Sequence, residues 1–427
     1  MNVTVEPGFI SGALQVPASK SMMQRACAAA LLHHGKTIIH NAGHSNDDQA
    51  ALGIIRQMGA RAELKPGNTI EIHSNGIYPI ANAIDCGESG LSARMFTPIM
   101  ALSNKRMAAT GHGTLTKRPM QVLDDLLPQL GVTTQSSNGC LPFYIEGPLK
   151  PRNITIDGSS SSQFLTGFLF AFSYQPKEAV TIEVTNLKSK PYIDMTLEVL
   201  DLFGKLVANH NYERFVIDPS LFKQKAAVDI SIEADWSSAA FWLVAGVIAG
   251  DITLSGLNNK SVQADKAILD ILNETGASLH IADDNVTIRM TETLKSFSYD
   301  ATDAPDLFPM LAVLAAYCEG QSRIRGTHRL KHKESDRLLS ITEMLDRFGV
   351  HYIATDDELT IEGGGALRGC EIDAYNDHRI AMAAAIAALG ATGPVTIQGA
   401  EAVDKSYPDF FAHLSLLGGK HTTNTND

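Results

Sequence analysis

At 427 residues the chain is longer than one hydrophobic core usually supports, and 44% hydrophobic with 19% charged residues is the composition of a globular protein of two domains. A formal net charge of -12 argues against nucleic acid or an anionic membrane as partner, because both call for a broad basic surface; any anion bound here must be held by a local cluster of cations. Five cysteines, Cys27, Cys86, Cys140, Cys318 and Cys370, are odd in number and free of CxxC spacing, which argues against a disulfide framework or a zinc site and for reduced, structural thiols.

Met1 to Phe9 has no basic stretch followed by an apolar one, and the longest apolar runs, Ala239 to Gly250 and Leu307 to Cys318, fall short of the roughly 18 residues that a spanning helix needs. A cytoplasmic protein is expected. Only the tail His421 to Asp427 reads as unstructured.

Along the chain one pattern recurs. A polar turn opens an apolar helix, a short strand follows, and a second helix ends at a glycine. The openings are Pro17 to Ser21, Gly87 to Gly90, Gly158 to Gln163, Ala234 to Ser238, Asp303 to Asp306 and Asn376 to Arg379. The strands expected after them are Ile38 to Asn41, Met107 to Thr110, Val180 to Val184, Ile252 to Ser255, Ser322 to Arg325 and Val395 to Gln398. The closing glycines, Gly59, Gly131, Gly204, Gly276, Gly349 and Gly418, lie 72, 73, 72, 73 and 69 positions apart. One glycine past a helix says only that a positive φ is cheap there, whereas six at near-constant spacing mark a repeat. Alternating strands and helices in such a unit fit a βαβαββ-like module, and six modules divide into three plus three.

Each polar opening falls where a helix should begin, and free N–H groups with the helix dipole favour anions there. Helix N-termini gathered at one cleft would form an anion receptor; the plainer alternative is that Ser and Asp merely cap helices. Ser19, Lys20, Ser21 and Arg25 place two cations and two hydroxyls at one start. Ser159 to Ser162 is followed at once by Gln163 and the apolar run Phe164 to Phe172, which suits capping better than a flexible linker.

His328 to Arg337 is the most charged stretch. His328 and His332 stand at metal-pair spacing, but Arg329, Lys331 and Lys333 among them would repel a cation and suit phosphate or carboxylate. Gly111 to Lys117 lacks the second glycine of a nucleotide phosphate loop, and Gly363 to Gly365 reads as a turn.

Taken together, Pro17-Ala18-Ser19-Lys20-Ser21, Ser161-Ser162-Gln163, Ser189-Lys190-Pro191-Tyr192, Lys333-Glu334-Ser335-Asp336-Arg337 and Asp377-His378-Arg379 resemble the 5-enolpyruvylshikimate-3-phosphate synthase family of enolpyruvyl transferases, in order from Val16 to Phe410. The resemblance implies an α/β fold of two globular domains, each of three modules, in the inside-out barrel arrangement of that family. It places residues 1–16 with 234–427 in one domain and 17–233 in the other, with the active site in the interdomain cleft. The implied reaction joins the 5-hydroxyl of shikimate 3-phosphate to the enolpyruvyl group of phosphoenolpyruvate and releases phosphate, with no cofactor and no metal, in a monomer.

Carried over by motif, the resemblance implies shikimate 3-phosphate contacts at Lys20, Ser21, Arg25, Ser161, Ser162, Gln163, Ser189, Tyr192, Asp306 and Lys333. It implies phosphoenolpyruvate contacts at Lys20, Gly90, Arg118, Gln163, Arg337, Arg379 and Lys405. Asp306 and Glu334 match the family's proton-transfer carboxylates, with Lys20 beside them as a catalytic residue. Two features depart from the family: Glu88 and Leu91 replace the Asn and Thr of the Gly-Asn-Ser/Ala-Gly-Thr turn beside the donor site, where the inhibitor glyphosate also binds, and Arg329 stands where some members carry Asn. A UDP-N-acetylglucosamine enolpyruvyl transferase would share the fold, but it lacks the Lys333 to Arg337 run and uses a loop cysteine absent from Gly111 to Arg118. A non-catalytic anion-binding module is the rival from another class, and the retained carboxylates argue against it.

Overall fold

The computed structural model describes residues 1–331 and 333–424. The chain divides into two compact units, Met1–Pro17 with Ala234–Asp427, and Ala18–Glu233.

Among the described residues six sheets repeat one arrangement, two parallel strands of which the second leads into two antiparallel ones, and in one sheet two short strands, Leu294–Lys295 and Ser298–Asp300, share the first place. In the 18–233 unit, Met107–Thr110 pairs parallel with Ala83–Asp85 and antiparallel with Cys140–Glu146, which in turn pairs with Thr133–Ser137. Ile154–Asp157, Val180–Thr185, Arg214–Ile217 and Val207–His210 repeat this order. Right-handed twist and short connections favour a β–helix–β crossover for the parallel pair and a hairpin for the last two strands.

Three sheets borrow a strand from far along the chain, one of them pairing Ile10–Gln15 in parallel with Gly250–Ser255. His34–His40 has as its parallel partner Ala227–Ser231, the last strand of its unit. In the other unit Asn2–Val5 lies between Val395–Gln398 and His421–Asn424, antiparallel to both. The expectation that the tail from His421 is unstructured is therefore corrected for His421–Asn424: the segment is polar and mostly exposed, but its backbone is paired along an edge strand. Residues 425–427 lie outside the described residues.

The first helix of each module is apolar on nearly all sides, so it must be enclosed rather than laid on a surface. Every residue of Gly90–Met100 and of His378–Leu389 is buried. In Trp236–Ala249 all but Ser237 are buried, and in Ser162–Phe172 all but Gln163. Gly167 lets two such helices approach: a Cβ there would stand 2.8 Å from the carbonyl oxygen of Arg94. The six closing glycines all have positive φ, from +74° to +104°, as helix termini that turn back into a strand require. No helix among the described residues is long and apolar enough to cross a membrane.

Candidate active site

All six polar openings are helix starts. Ser19, Ser89, Ser161, Asp235 and Asp377 cap them through their side chains, while Leu307 precedes Phe308–Tyr317 without a side-chain cap. Capping thus accounts for five of these residues, and the residues just inside the helices carry the remaining chemistry.

In the 18–233 unit, hydrogen bonds draw three helix starts together. Ser89 Oγ and Ser92 Oγ each donate to Gln24 Oε1 at 3.0 Å, and Arg94 Nη1 donates to Gln163 Oε1 at 2.9 Å. Arg118, 6% exposed, closes on the same place: a Cβ on Gly90 would lie 2.6 Å from Arg118 Nη1 and 3.8 Å from Gln163 Oε1. Lys20 Nζ pairs with Asp47 Oδ2 at 2.9 Å. Ser161 caps the helix that Ser162 and Gln163 begin, its hydroxyl accepting from Gln163 N.

Arg25 is 1% exposed and spends its donors on protein: Nε to Thr196 Oγ1, Nη1 to the Ser21 carbonyl and Nη2 to the Tyr192 carbonyl. Burial lowers its guanidinium to about 10, slightly offset by Tyr192. It fastens Lys20–Leu32 to Lys190–Leu202, the helix that carries Tyr192. Ser189, just before that helix, is held in the left-handed region at φ 57°, which is costly for a residue with a side chain and recurs at ligand sites.

In the other unit one guanidinium organises the cluster. Arg337, with no exposed side-chain surface, donates to Asp377 Oδ2 at 3.0 Å, Asp306 Oδ1 at 2.9 Å and Glu334 Oε2 at 2.5 Å. Arg379 Nη2 donates to Asp306 Oδ2 at 3.2 Å and Lys333 Nζ lies 3.5 Å from Asp306 Oδ1. Burial opposes ionisation of Asp306, yet Arg379, Lys333 and Arg337 together hold its carboxyl well below the usual carboxylate range, against repulsion from Glu334. Burial lowers the Lys333 ammonium, and Asp306 opposes that shift. Lys405, 6% exposed, donates to the Asn376 carbonyl at 2.6 Å beside the start of the Arg379 helix.

The charged stretch from His328 is not one helix face. Thr327–Arg329 is a single 3-10 turn, an α-helix begins only at Arg337, and His328 Nδ1 faces Asp357 Oδ1 at 3.2 Å; His332 lies outside the described residues. Among the described residues no group of three or more His, Cys, Asp or Glu could hold a metal ion, and the five cysteines are free. Sequence reasoning missed Gln24, Asp47, Ser237 and Asp265. Positions in a first turn carry a weak signal for Asp47 and Ser237, whereas Gln24, one turn further in, and Asp265 carry none.

Buried helix starts, enclosed arginines and two carboxylates sharing one guanidinium define an α/β enzyme for strongly anionic substrates. The chain belongs to the EPSP synthase (3-phosphoshikimate 1-carboxyvinyltransferase) family, whose model matches residues 5–414. It is similar to the 3-phosphoshikimate 1-carboxyvinyltransferase of Clostridium novyi, 34% identical over 98% of each chain. It is also similar to that of Aeropyrum pernix, 35% identical over 98% of this chain and 96% of the relative. Among solved structures it resembles the EPSP synthase from Acinetobacter baumannii, with a TM-score of 0.81 and 27% identity across 99% of this chain and 100% of that one. The enolpyruvyl transferase NikO from Streptomyces tendae shares the fold, with a TM-score of 0.81 at 20% identity.

Proposed function

We propose that the chain transfers the enolpyruvyl group of phosphoenolpyruvate to the 5-hydroxyl of shikimate 3-phosphate and releases phosphate, as a cytoplasmic monomer without a metal. The gathering of Asp306 and Glu334 on Arg337, with Lys333 and Arg379 against Asp306, carries this reading. Two phosphates and two carboxylates brought together repel one another, and fixed cations offset that repulsion most strongly where water is excluded. Lys20, Gly90, Arg118, Gln163, Arg337, Arg379 and Lys405 are assigned to phosphoenolpyruvate. Lys20, Ser21, Arg25, Ser161, Ser162, Gln163, Ser189, Tyr192, Asp306 and Lys333 are assigned to shikimate 3-phosphate, with Arg25 acting largely by fixing the Ser21 and Tyr192 backbone.

Asp306, whose carboxyl Arg379, Lys333 and Arg337 hold well below the usual carboxylate range, is the hydrogen-bond acceptor for the attacking hydroxyl. When substrate anions draw Arg379 and Arg337 towards themselves, the carboxylate loses part of its stabilisation and becomes a stronger base. As the 5-hydroxyl oxygen bonds to C2, Glu334 in its protonated form delivers its proton to C3; when phosphate then leaves C2, a C3 proton returns to Glu334 and the enol double bond re-forms. The site is also taken to admit glyphosate, with Glu88 and Leu91 disfavouring it. Asp306→Asn and Glu334→Gln are expected to lower kcat by at least about 100-fold while both substrates still bind by calorimetry. Near-native kcat in either variant would refute the assignment.

A further inference from the structure

Behind Arg379 lies a carboxylate that the substrate assignments do not use. Asp265 is 3% exposed and sits in the 3-10 turn Ala264–Ala267. Its Oδ2 accepts a hydrogen bond from Ser237 Oγ, at the first turn of Trp236–Ala249. The same Ser237 Oγ accepts from Arg379 Nη1 at 3.1 Å, and the other arm of that guanidinium, Nη2, reaches Asp306 Oδ2. A continuous line thus runs from Asp265 through one hydroxyl and one guanidinium to the proposed catalytic carboxylate.

We propose that Asp265 is a positioning residue for Arg379, acting through the Ser237 hydroxyl to fix the guanidinium that receives the anionic donor substrate. This rests on the assignment of Arg379 to phosphoenolpyruvate. A serine hydroxyl has one proton to give, and a carboxylate is an obligatory acceptor. Donation to Asp265 commits that proton, so a lone pair is left facing Arg379 Nη1. Without the carboxylate the hydroxyl is free to rotate its proton towards the guanidinium, and Arg379 Nη1 loses its Ser237 contact while keeping the Asp306 carbonyl at 3.2 Å.

A purely structural brace is already present beside it. Gln263 Oε1 accepts from Trp236 N at 3.0 Å and Gln263 Nε2 donates to the Ala234 carbonyl at 2.8 Å, so the helix start is tied down without Asp265. Burying a carboxylate next to that brace is costly unless its charge is used. Burial pushes the Asp265 carboxyl up to about 7, with Asp306 and Asp235 adding to the rise, and it is Arg379 and the Ser237 hydroxyl that favour its ionised form.

The test uses the full chain as Asp265→Leu, which removes the acceptor at similar volume, Ser237→Ala, the double variant and Ser237→Thr, which keeps the hydroxyl. Phosphoenolpyruvate binding in the presence of shikimate 3-phosphate is measured by calorimetry, alongside both KM values, kcat and the melting temperature. Asp265→Leu and Ser237→Ala are each expected to weaken phosphoenolpyruvate binding about tenfold, with KM for shikimate 3-phosphate within about twofold. The double variant should be no worse than the poorer single one, and Ser237→Thr should restore binding. Multiplying losses, or equal losses for both substrates tracking a lower melting temperature, would show a structural role and overturn the inference. Native binding in Asp265→Leu would overturn it while leaving the functional reading intact. Failure of the native protein to bind phosphoenolpyruvate would overturn both.

Discussion

Lys20 Nζ lies 2.9 Å from Asp47 Oδ2, with only 15% and 11% of the two side chains exposed. The ammonium proposed to meet phosphoenolpyruvate is thus already aimed by a carboxylate in the first turn of Asn46–Gln57. Lys20→Ala removes an attraction and leaves the Asp47 charge facing the same anion. Phosphoenolpyruvate binding should weaken by about 1.5 to 3 kcal/mol, more than shikimate 3-phosphate binding. Adding Asp47→Asn should recover part of the loss. Calorimetric titration showing no recovery would remove Asp47 from this role.

Gly90 leaves room for Arg118. A Cβ at this position would stand 2.6 Å from Arg118 Nη1, too short for any real contact, but the obstacle is the end of a flexible side chain. Gly90→Ala should therefore push the guanidinium aside without unfolding the protein. KM for phosphoenolpyruvate is expected to rise several-fold, with KM for shikimate 3-phosphate and the melting temperature nearly unchanged. An unshifted donor KM would mean that Arg118 does not hold that substrate.

Arg337 has no exposed side-chain surface and faces Asp306, Glu334 and Asp377. Arg337→Met would leave those carboxylates without their shared cation, and breaking a buried pair by removing one partner costs about 3 to 5 kcal/mol. Urea unfolding should report a loss of that size without any substrate present. A loss below about 1 kcal/mol would place the cluster in effectively aqueous surroundings.

Asp48 is 2% exposed in the capping box with Ser45, and burial pushes its carboxyl from 3.8 up to about 7 against the pull of the Ser45 donors. A folded-state value above the unfolded one means that the native state binds this proton more tightly. Its stabilisation is full below about pH 4 and is lost as pH rises towards 7. Asp48→Asn keeps an acceptor for Ser45 and cannot titrate. Between about pH 4.5 and 7 the native protein should lose more stability than this variant. Parallel stability curves would contradict the assignment.

Much of the fold is legible because its signals are local. A polar cap, an apolar helix and a closing glycine each depend on a few neighbouring residues, so Met107–Thr110 and Val395–Gln398 fall where the sequence indicates. The closure of the sheets is not local. Nothing near Asn2 announces a partner at Gln398 or Asn424, and His421-Thr422-Thr423-Asn424 is polar because an exposed edge strand needs only backbone pairing. The same reason hides half of the site. Motifs identify Lys20 and Arg379, whereas Asp47 and Asp265 acquire meaning only when the chain brings each carboxylate to its partner.

The most direct measurement is phosphate release by the purified chain given phosphoenolpyruvate with shikimate 3-phosphate or, separately, UDP-N-acetylglucosamine, with excess chelator throughout. One phosphate released for each shikimate 3-phosphate consumed, an enolpyruvyl ether as co-product, no turnover of the sugar nucleotide and no effect of the chelator are the predicted results. Turnover only with the sugar nucleotide, or none with either acceptor when the substrates bind, would contradict the account.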